Sequence, residues 1–187
     1  MFIRMTFVAL LLSLLPTLRA QAAFEFAADQ GGLSIRVGAA NAGSLTTVNL
    51  MVHHEGELIL RAAVPAEGTV TEASLGDLNR DGYPEVYVFI TSAGSGSYGS
   101  VIAYASNRNQ SMTPITMQDL PDDAAVLAGY LGHDRYELGD DVLLRSFPVY
   151  LPGNSNADPQ GGRRTLRYRL HAGEAGWLLK PELTVSP

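Results

Sequence analysis

Apolar and polar residues alternate along much of the chain, which is the period of half-buried β-strands. The alternation is clearest over residues 46–53, where Val48, Leu50 and Val52 share one face. Similar short patterns predict strands at 24–28 (or an arm there), 33–37, 58–64, 69–75, 85–91, 100–105, 115–120, 135–138, 142–147 with a continuation over 148–151, 165–171 and 177–179. A short helix is predicted at 121–129, where an acidic first turn ends in a glycine.

Turn residues separate these segments at regular, short intervals. Spacings of about 8–12 residues between strands are typical of all-β domains. We therefore expect an all-β, antiparallel β-sandwich or barrel-like fold with about 8–10 strands and at most one short helix.

The first 22 residues have the pattern of an export signal. Arg4 precedes an apolar run at 7–15, which is too short to span a bilayer, and Ala20-Gln21-Ala22 fits the small-x-small cleavage rule. We expect a signal peptide at 1–22, a single domain at 23–187, and no membrane segment in the mature form. The chain has no cysteine, which favours the bacterial periplasm and excludes thiol catalysis and Cys-based zinc sites.

Acidic residues dominate the charge. Without Arg4 and Arg19, 11 basic residues face 19 acidic ones. Nucleic acid is thus a poor partner, and a cationic protein would be attracted. Solubility of an exported domain explains the charge equally well.

The hairpin at 76–106 begins with an acidic turn, residues 77–82. Asp77, Asn79 and Asp81, followed by Gly82 and Glu85, place oxygen atoms at alternate positions, as in short calcium-binding loops. The alternative is a structural β-turn in which Asp77 or Asn79 bonds nearby backbone amides.

The other end of this hairpin is a tip loop, residues 92–99, made of small residues around one tyrosine. Gly94, Gly96 and Gly99 are expected to allow unusual backbone conformations and close approach to a partner. Ser95, Ser97 and Tyr98 offer hydroxyl groups and an aromatic anchor. The alternative is a flexible loop with Tyr98 folded back onto the sheet.

Recognisable catalytic motifs are missing from the sequence: it has no nucleophile elbow, phosphate loop or zinc-protease helix. His53 and His54 point to opposite faces of a strand and are poor joint metal ligands. His133 and His171 are predicted to be isolated surface or hydrogen-bonded histidines. We therefore expect that this protein is not an enzyme.

Ser95-Gly96-Ser97-Tyr98 matches the Ser-Gly-x-Tyr motif of bacterial periplasmic lysozyme inhibitors. The whole 76–106 segment resembles the inhibitors of invertebrate-type (i-type) lysozyme, and the resemblance continues through 129–134, 145–150 and 173–177. Inhibitors of chicken-type lysozyme carry cysteines and a lysine-containing motif, whereas this chain has no cysteine and Lys180 is its only lysine.

The resemblance implies a periplasmic all-β protein that forms a homodimer and binds i-type lysozyme, a cationic glycoside hydrolase. It also implies that residues 95–98 enter the active-site cleft, with Ser95 and Tyr98 in contact with the enzyme and Gly96 shaping the loop.

Two other functions stay open at this point. One is a calcium-binding exported adhesion or scaffolding module that uses Asp77, Asn79, Asp81 and Glu85. The other is a periplasmic carbohydrate-processing enzyme, whose carboxylate pair the sequence does not single out.

Overall fold

The computed structural model describes residues 23–121, 125–174 and 176–182. The predicted signal peptide at 1–22 lies outside these residues. In the described part of the chain the elements, in order, are β1 (Phe24–Gln30), β2 (Leu33–Ala39), β3 (Leu45–His54), β4 (Glu57–Glu67), β5 (Thr69–Gly76), β6 (Glu85–Thr91), β7 (Gly99–Ser106), β8 (Met112–Met117), a 3-10 turn (Ala125–Leu127), β9 (Arg135–Leu138), β10 (Leu143–Pro148), β11 (Arg163–Ala172) and β12 (Trp177–Glu182).

These strands form two sheets. The first has four strands in the order β1-β2-β3-β4, and the second has eight in the order β5-β6-β7-β8-β12-β11-β10-β9. The larger sheet curls into a nearly closed barrel. Its two edges approach each other where Leu138 of β9 packs beside Gly76 of β5. The predicted all-β sandwich or barrel-like fold is confirmed. The expected number of about 8–10 strands is too low, because the described residues form twelve.

Strand β6 is buried on both faces and separates two hydrophobic cores. Val86, Val88 and Ile90 point into the core shared with the four-stranded sheet, where Val48, Leu50 and Val52 also lie. The alternate residues Tyr87 and Phe89 point into the barrel interior. This explains why β6 is apolar and β-branched at nearly every position, unlike a strand with one solvated face. The hairpin at 76–106 therefore has a rigid base.

Two expectations about elements need correction. The strand predicted at 115–120 is instead β8, and β8 pairs in parallel with β12. The predicted helix at 121–129 is reduced in its described part to the 3-10 turn, and residues 122–124 lie outside the description. Among the residues that can be described, no helix has the length and apolar character needed to cross a membrane.

Candidate functional site

The tip loop is a tight connection between β6 and β7, whose last paired residues are Thr91 and Gly99. Ser92 donates its amide to the Tyr98 carbonyl at 2.8 Å, and the Tyr98 amide donates to Ser92 Oγ at 2.9 Å. Within the loop, the Ser97 amide donates to the Gly94 carbonyl at 2.9 Å. The loop backbone thus has its own hydrogen bonds and a defined shape.

Two glycines of the tip loop, Gly96 and Gly99, matter because they lack a side chain and not because of an unusual backbone. None of Gly94, Gly96 and Gly99 has a positive φ, and in this loop the left-handed conformation belongs to Ser97, at a φ of 44°. The expectation that these glycines take conformations closed to other residues is wrong. A Cβ on Gly96 would overlap the Tyr98 ring, so the motif glycine is needed because the motif tyrosine lies over it.

Tyr98 is half exposed, with 49% of its surface accessible. One edge of its ring meets the Tyr130 ring, with the centroids 5.8 Å apart. Ser95 is exposed and Ser97 half-buried. In the described part of the chain, no hydrogen bond involves the side-chain hydroxyls of Ser95, Ser97 or Tyr98. These groups are available to a partner.

Two residues from distant segments bond the carbonyls of the tip loop. Asn156 donates its Nδ2 to the Ser95 carbonyl at 2.9 Å, and the His133 amide donates to the Gly96 carbonyl at 2.6 Å. A Cβ on Gly132, whose φ is +95°, would overlap that same Gly96 oxygen. Sequence reasoning missed both contacts. The prediction for His133 concerns its side chain, whereas the contact uses its backbone amide. Asn156 lies in the polar stretch 153–162, whose composition indicates only a loop.

The acidic turn uses its side-chain oxygens to hold its own backbone. Asp77 accepts the amides of Asp81 and Gly82 at 3.0 and 2.9 Å, and Asn79 also accepts the Asp81 amide at 3.0 Å. Asp81 in turn accepts the Tyr83 amide at 2.9 Å. In the described ranges, no three His, Asp or Glu side chains are placed to share one metal ion. These bonds favour the structural turn, and calcium binding stays a prediction.

Glu85 connects this turn to the barrel interior. It is fully buried, and its Oε2 accepts the Leu78 amide at 2.8 Å. Its Oε1 and the nearby buried Tyr87 hydroxyl have no hydrogen-bond partner among the described residues. Burial, reinforced by the charges of Asp77 and Asp81, raises the pKa of Glu85 to about 7. The carboxyl is therefore an internal part of the fold.

A family model described as periplasmic lysozyme inhibitor of I-type lysozyme matches residues 33–128, about half of the chain. The chain belongs to this family. No curated protein matches the inhibitor.

The matched span includes the acidic turn and the whole tip loop. The chain is accordingly a periplasmic inhibitor of i-type lysozyme, which confirms the recognition made from the Ser-Gly-x-Tyr motif. His133 and Asn156 lie outside the matched span. Their contacts with the loop join segments that are distant in the chain.

Proposed function

We propose that the inhibitor blocks i-type lysozyme by inserting Ser95, Gly96, Ser97 and Tyr98 into the active-site cleft. One observation carries the proposal: a half-exposed tyrosine, whose hydroxyl bonds no group among the described residues, stands on a loop whose backbone is already hydrogen-bonded. A side chain of this kind is a typical interface anchor. A preformed loop also loses less conformational entropy on binding.

The chemistry of the cleft fits these side chains. Glycoside hydrolases of this type place two carboxyl groups around the scissile bond. Ser95 donates a hydrogen bond to one of them, while the ring of Tyr98 occupies a sugar subsite and its hydroxyl replaces a sugar hydroxyl. The loop excludes the substrate and offers no glycosidic bond to cleave.

The overall charge assists the encounter. The formal net charge is −6 for the whole chain, and a cationic lysozyme would be attracted over the Debye length. Since the residues 95–98 are themselves uncharged, this attraction raises the association rate more than the affinity.

Three further parts of the proposal rest on the resemblance and the family. Residues 1–22 direct export to the periplasm and are then removed. The mature inhibitor forms a homodimer, which light scattering coupled to size exclusion tests directly. It has no glycosidase activity of its own, which incubation with peptidoglycan fragments tests.

The deciding experiment is a lysis assay with i-type, chicken-type and goose-type lysozymes. We expect inhibition of the i-type enzyme, and we expect Tyr98→Ala to weaken it by about 2 kcal/mol or more, as for a buried anchor. Tyr83→Ala, beside the acidic turn, is the matched control and retains inhibition. Full inhibition by a folded Tyr98→Ala variant would remove the tip loop from the mechanism.

A further inference from the structure

The end of the tip loop lies against a buried carboxylate. The Gly99 amide, one residue after Tyr98, donates to Asp134 Oδ2 at 2.9 Å, and the Gly99 carbonyl accepts the Tyr136 hydroxyl at 3.2 Å. A Cβ on Gly99 would lie 2.7 Å from the Asp134 Cβ. Gly99 thus permits a contact that any larger residue would prevent.

Asp134 is itself fixed by a buried ion pair. Its side chain is fully buried, and Oδ1 accepts Arg145 Nε at 2.8 Å. Tyr130 donates its hydroxyl to Asp134 Oδ2 at 2.6 Å and accepts Arg145 Nη2 at 2.7 Å. Burial, together with this bond to Asp134, raises the pKa of Tyr130, so its hydroxyl stays protonated and can donate. A buried carboxylate is tolerated only when it is paired and hydrogen-bonded in this way.

The same cluster supports the side chain of Tyr98. The Tyr130 ring, which meets Tyr98, packs on Phe147 with centroids 4.6 Å apart. The Arg145 guanidinium lies 5.0 Å from the centre of the Tyr130 ring. The cluster therefore bonds the loop backbone at Gly99 and restricts the Tyr98 ring through Tyr130.

Asn156 holds the middle of the loop through the Ser95 carbonyl. Asp134 is 35 residues from Gly99 in the chain, and Asn156 is 61 residues from Ser95. Both lie beyond the span matched by the family model. The shape of the tip loop consequently depends on the C-terminal half of the chain as well as on the Ser-Gly-x-Tyr motif.

We propose that Asp134 and Asn156 are positioning residues for inhibition: they hold the tip loop in its binding conformation without needing to touch the lysozyme. This inference rests on the proposed function of the loop. Its physical basis is that the apparent affinity falls in proportion to the fraction of free inhibitor in the competent conformation. Loss of either contact, at Gly99 or at Ser95, lowers that fraction.

The test compares Asp134→Asn and Asn156→Ala with wild-type inhibitor. Asp141→Asn is the matched control, because it makes the same chemical change in an ion pair with Arg169. Two quantities are to be measured well below the melting temperature of each variant. They are the Kd for i-type lysozyme and the hydrogen exchange of the Ser97 and Tyr98 amides in the free inhibitor. We expect Kd to rise ~30-fold for Asp134→Asn and ~10-fold for Asn156→Ala, with matching losses of amide protection. Asp141→Asn should change neither quantity.

Asn156 is exposed, so its variant is expected to fold even if Asp134→Asn does not. If Asn156→Ala keeps the wild-type Kd and the wild-type amide protection of Ser97 and Tyr98, the proposal is overturned. So would a raised Kd with unchanged protection, because Asn156 would then be a contact residue.

Tyr98→Ala, measured alongside, separates this inference from the proposed function. Wild-type affinity in Tyr98→Ala contradicts loop insertion, and the positioning role with it. Weak binding by Tyr98→Ala, combined with wild-type behaviour of both positioning variants, contradicts the positioning role alone.

Discussion

The acidic turn and the tip loop lie at opposite ends of β6, and they use most of their polar side chains differently. In the turn, side-chain oxygens of Asp77, Asn79 and Asp81 accept amides from the turn and from the adjoining Tyr83. In the tip loop, the backbone is bonded by loop carbonyls, by Ser92 Oγ and by distant residues, which leaves the side chains of Ser95 and Tyr98 to face a partner.

The comparison gives a criterion for polar loops. A loop whose side chains bond its own backbone stabilises the fold and has little left to offer a ligand. A loop whose backbone is held by other means can present its side chains outward. Variants in the two regions should therefore affect different quantities: stability for the turn and inhibition for the tip loop.

The largest expected effect is the change in the free energy of unfolding with pH that Glu85 causes. Its pKa rises from the ordinary value of 4.5 to about 7 in the folded protein, mainly through burial. Between these two pKa values the folded state binds one proton more than the unfolded state. The stabilisation that this proton gives the folded state is complete below about pH 4.5 and is lost as the pH rises through 7. We expect the free energy of unfolding to fall by up to roughly 3 kcal/mol from pH 5 to pH 8.

Denaturant unfolding at both pH values measures this change. Glu85→Gln, which copies the protonated carboxyl, should be much less sensitive to pH. A wild-type stability that rises over the same interval would show that Glu85 is ionised in the fold.

Next in size is the loss of Asp77 from the acidic turn. Asp77→Ala removes the acceptor of the Gly82 amide and one of two acceptors of the Asp81 amide, which should lower the free energy of unfolding by about 1–2 kcal/mol. Inhibition of i-type lysozyme measured below the melting temperature should be unchanged. Loss of inhibition in a folded Asp77→Ala variant would contradict the separation of the two regions.

The same region allows a test of calcium. If the turn is purely structural, the melting temperature of wild-type inhibitor is the same in excess calcium and in excess chelator. A clear increase with calcium, absent in Asp77→Ala, would support the calcium prediction instead.

The smallest effect is expected from a single methyl group in the tip loop. Gly96→Ala places a Cβ against the Tyr98 ring, which must move. We expect about a tenfold weaker Kd for i-type lysozyme, or roughly 1.4 kcal/mol, with little change in melting temperature. Gly94→Ala is the matched control, because nothing lies within 4 Å of its Cβ. Equal affinities of the two variants would show that the position of Tyr98 does not matter.

Local patterns were sufficient for much of the fold. The bounds of β6 and β9 agree with the predicted strands, because alternation, β-branching and flanking turns all act within a few residues. The parallel pairing of β8 with β12 joins segments about sixty residues apart. The sequence around β8, which contains Pro114, carries no local signal of that partner.

The candidate site also has one part that the local sequence predicts and one part that depends on distant residues. Ser95 to Tyr98 could be found because the motif is contiguous. Their support by Asp134 and Asn156 is non-local, and a buried aspartate resembles a surface one in sequence. Ser97, not a glycine, has the left-handed conformation, which composition does not show.

Competition for the lysozyme cleft is the most direct test of the central claim. The Kd of the inhibitor for i-type lysozyme is measured by calorimetry at increasing concentrations of a chitin oligosaccharide that fills the sugar subsites. Insertion of the tip loop predicts that the apparent Kd rises in proportion to the oligosaccharide concentration. A constant Kd, with a ternary complex of inhibitor, lysozyme and oligosaccharide, would contradict it.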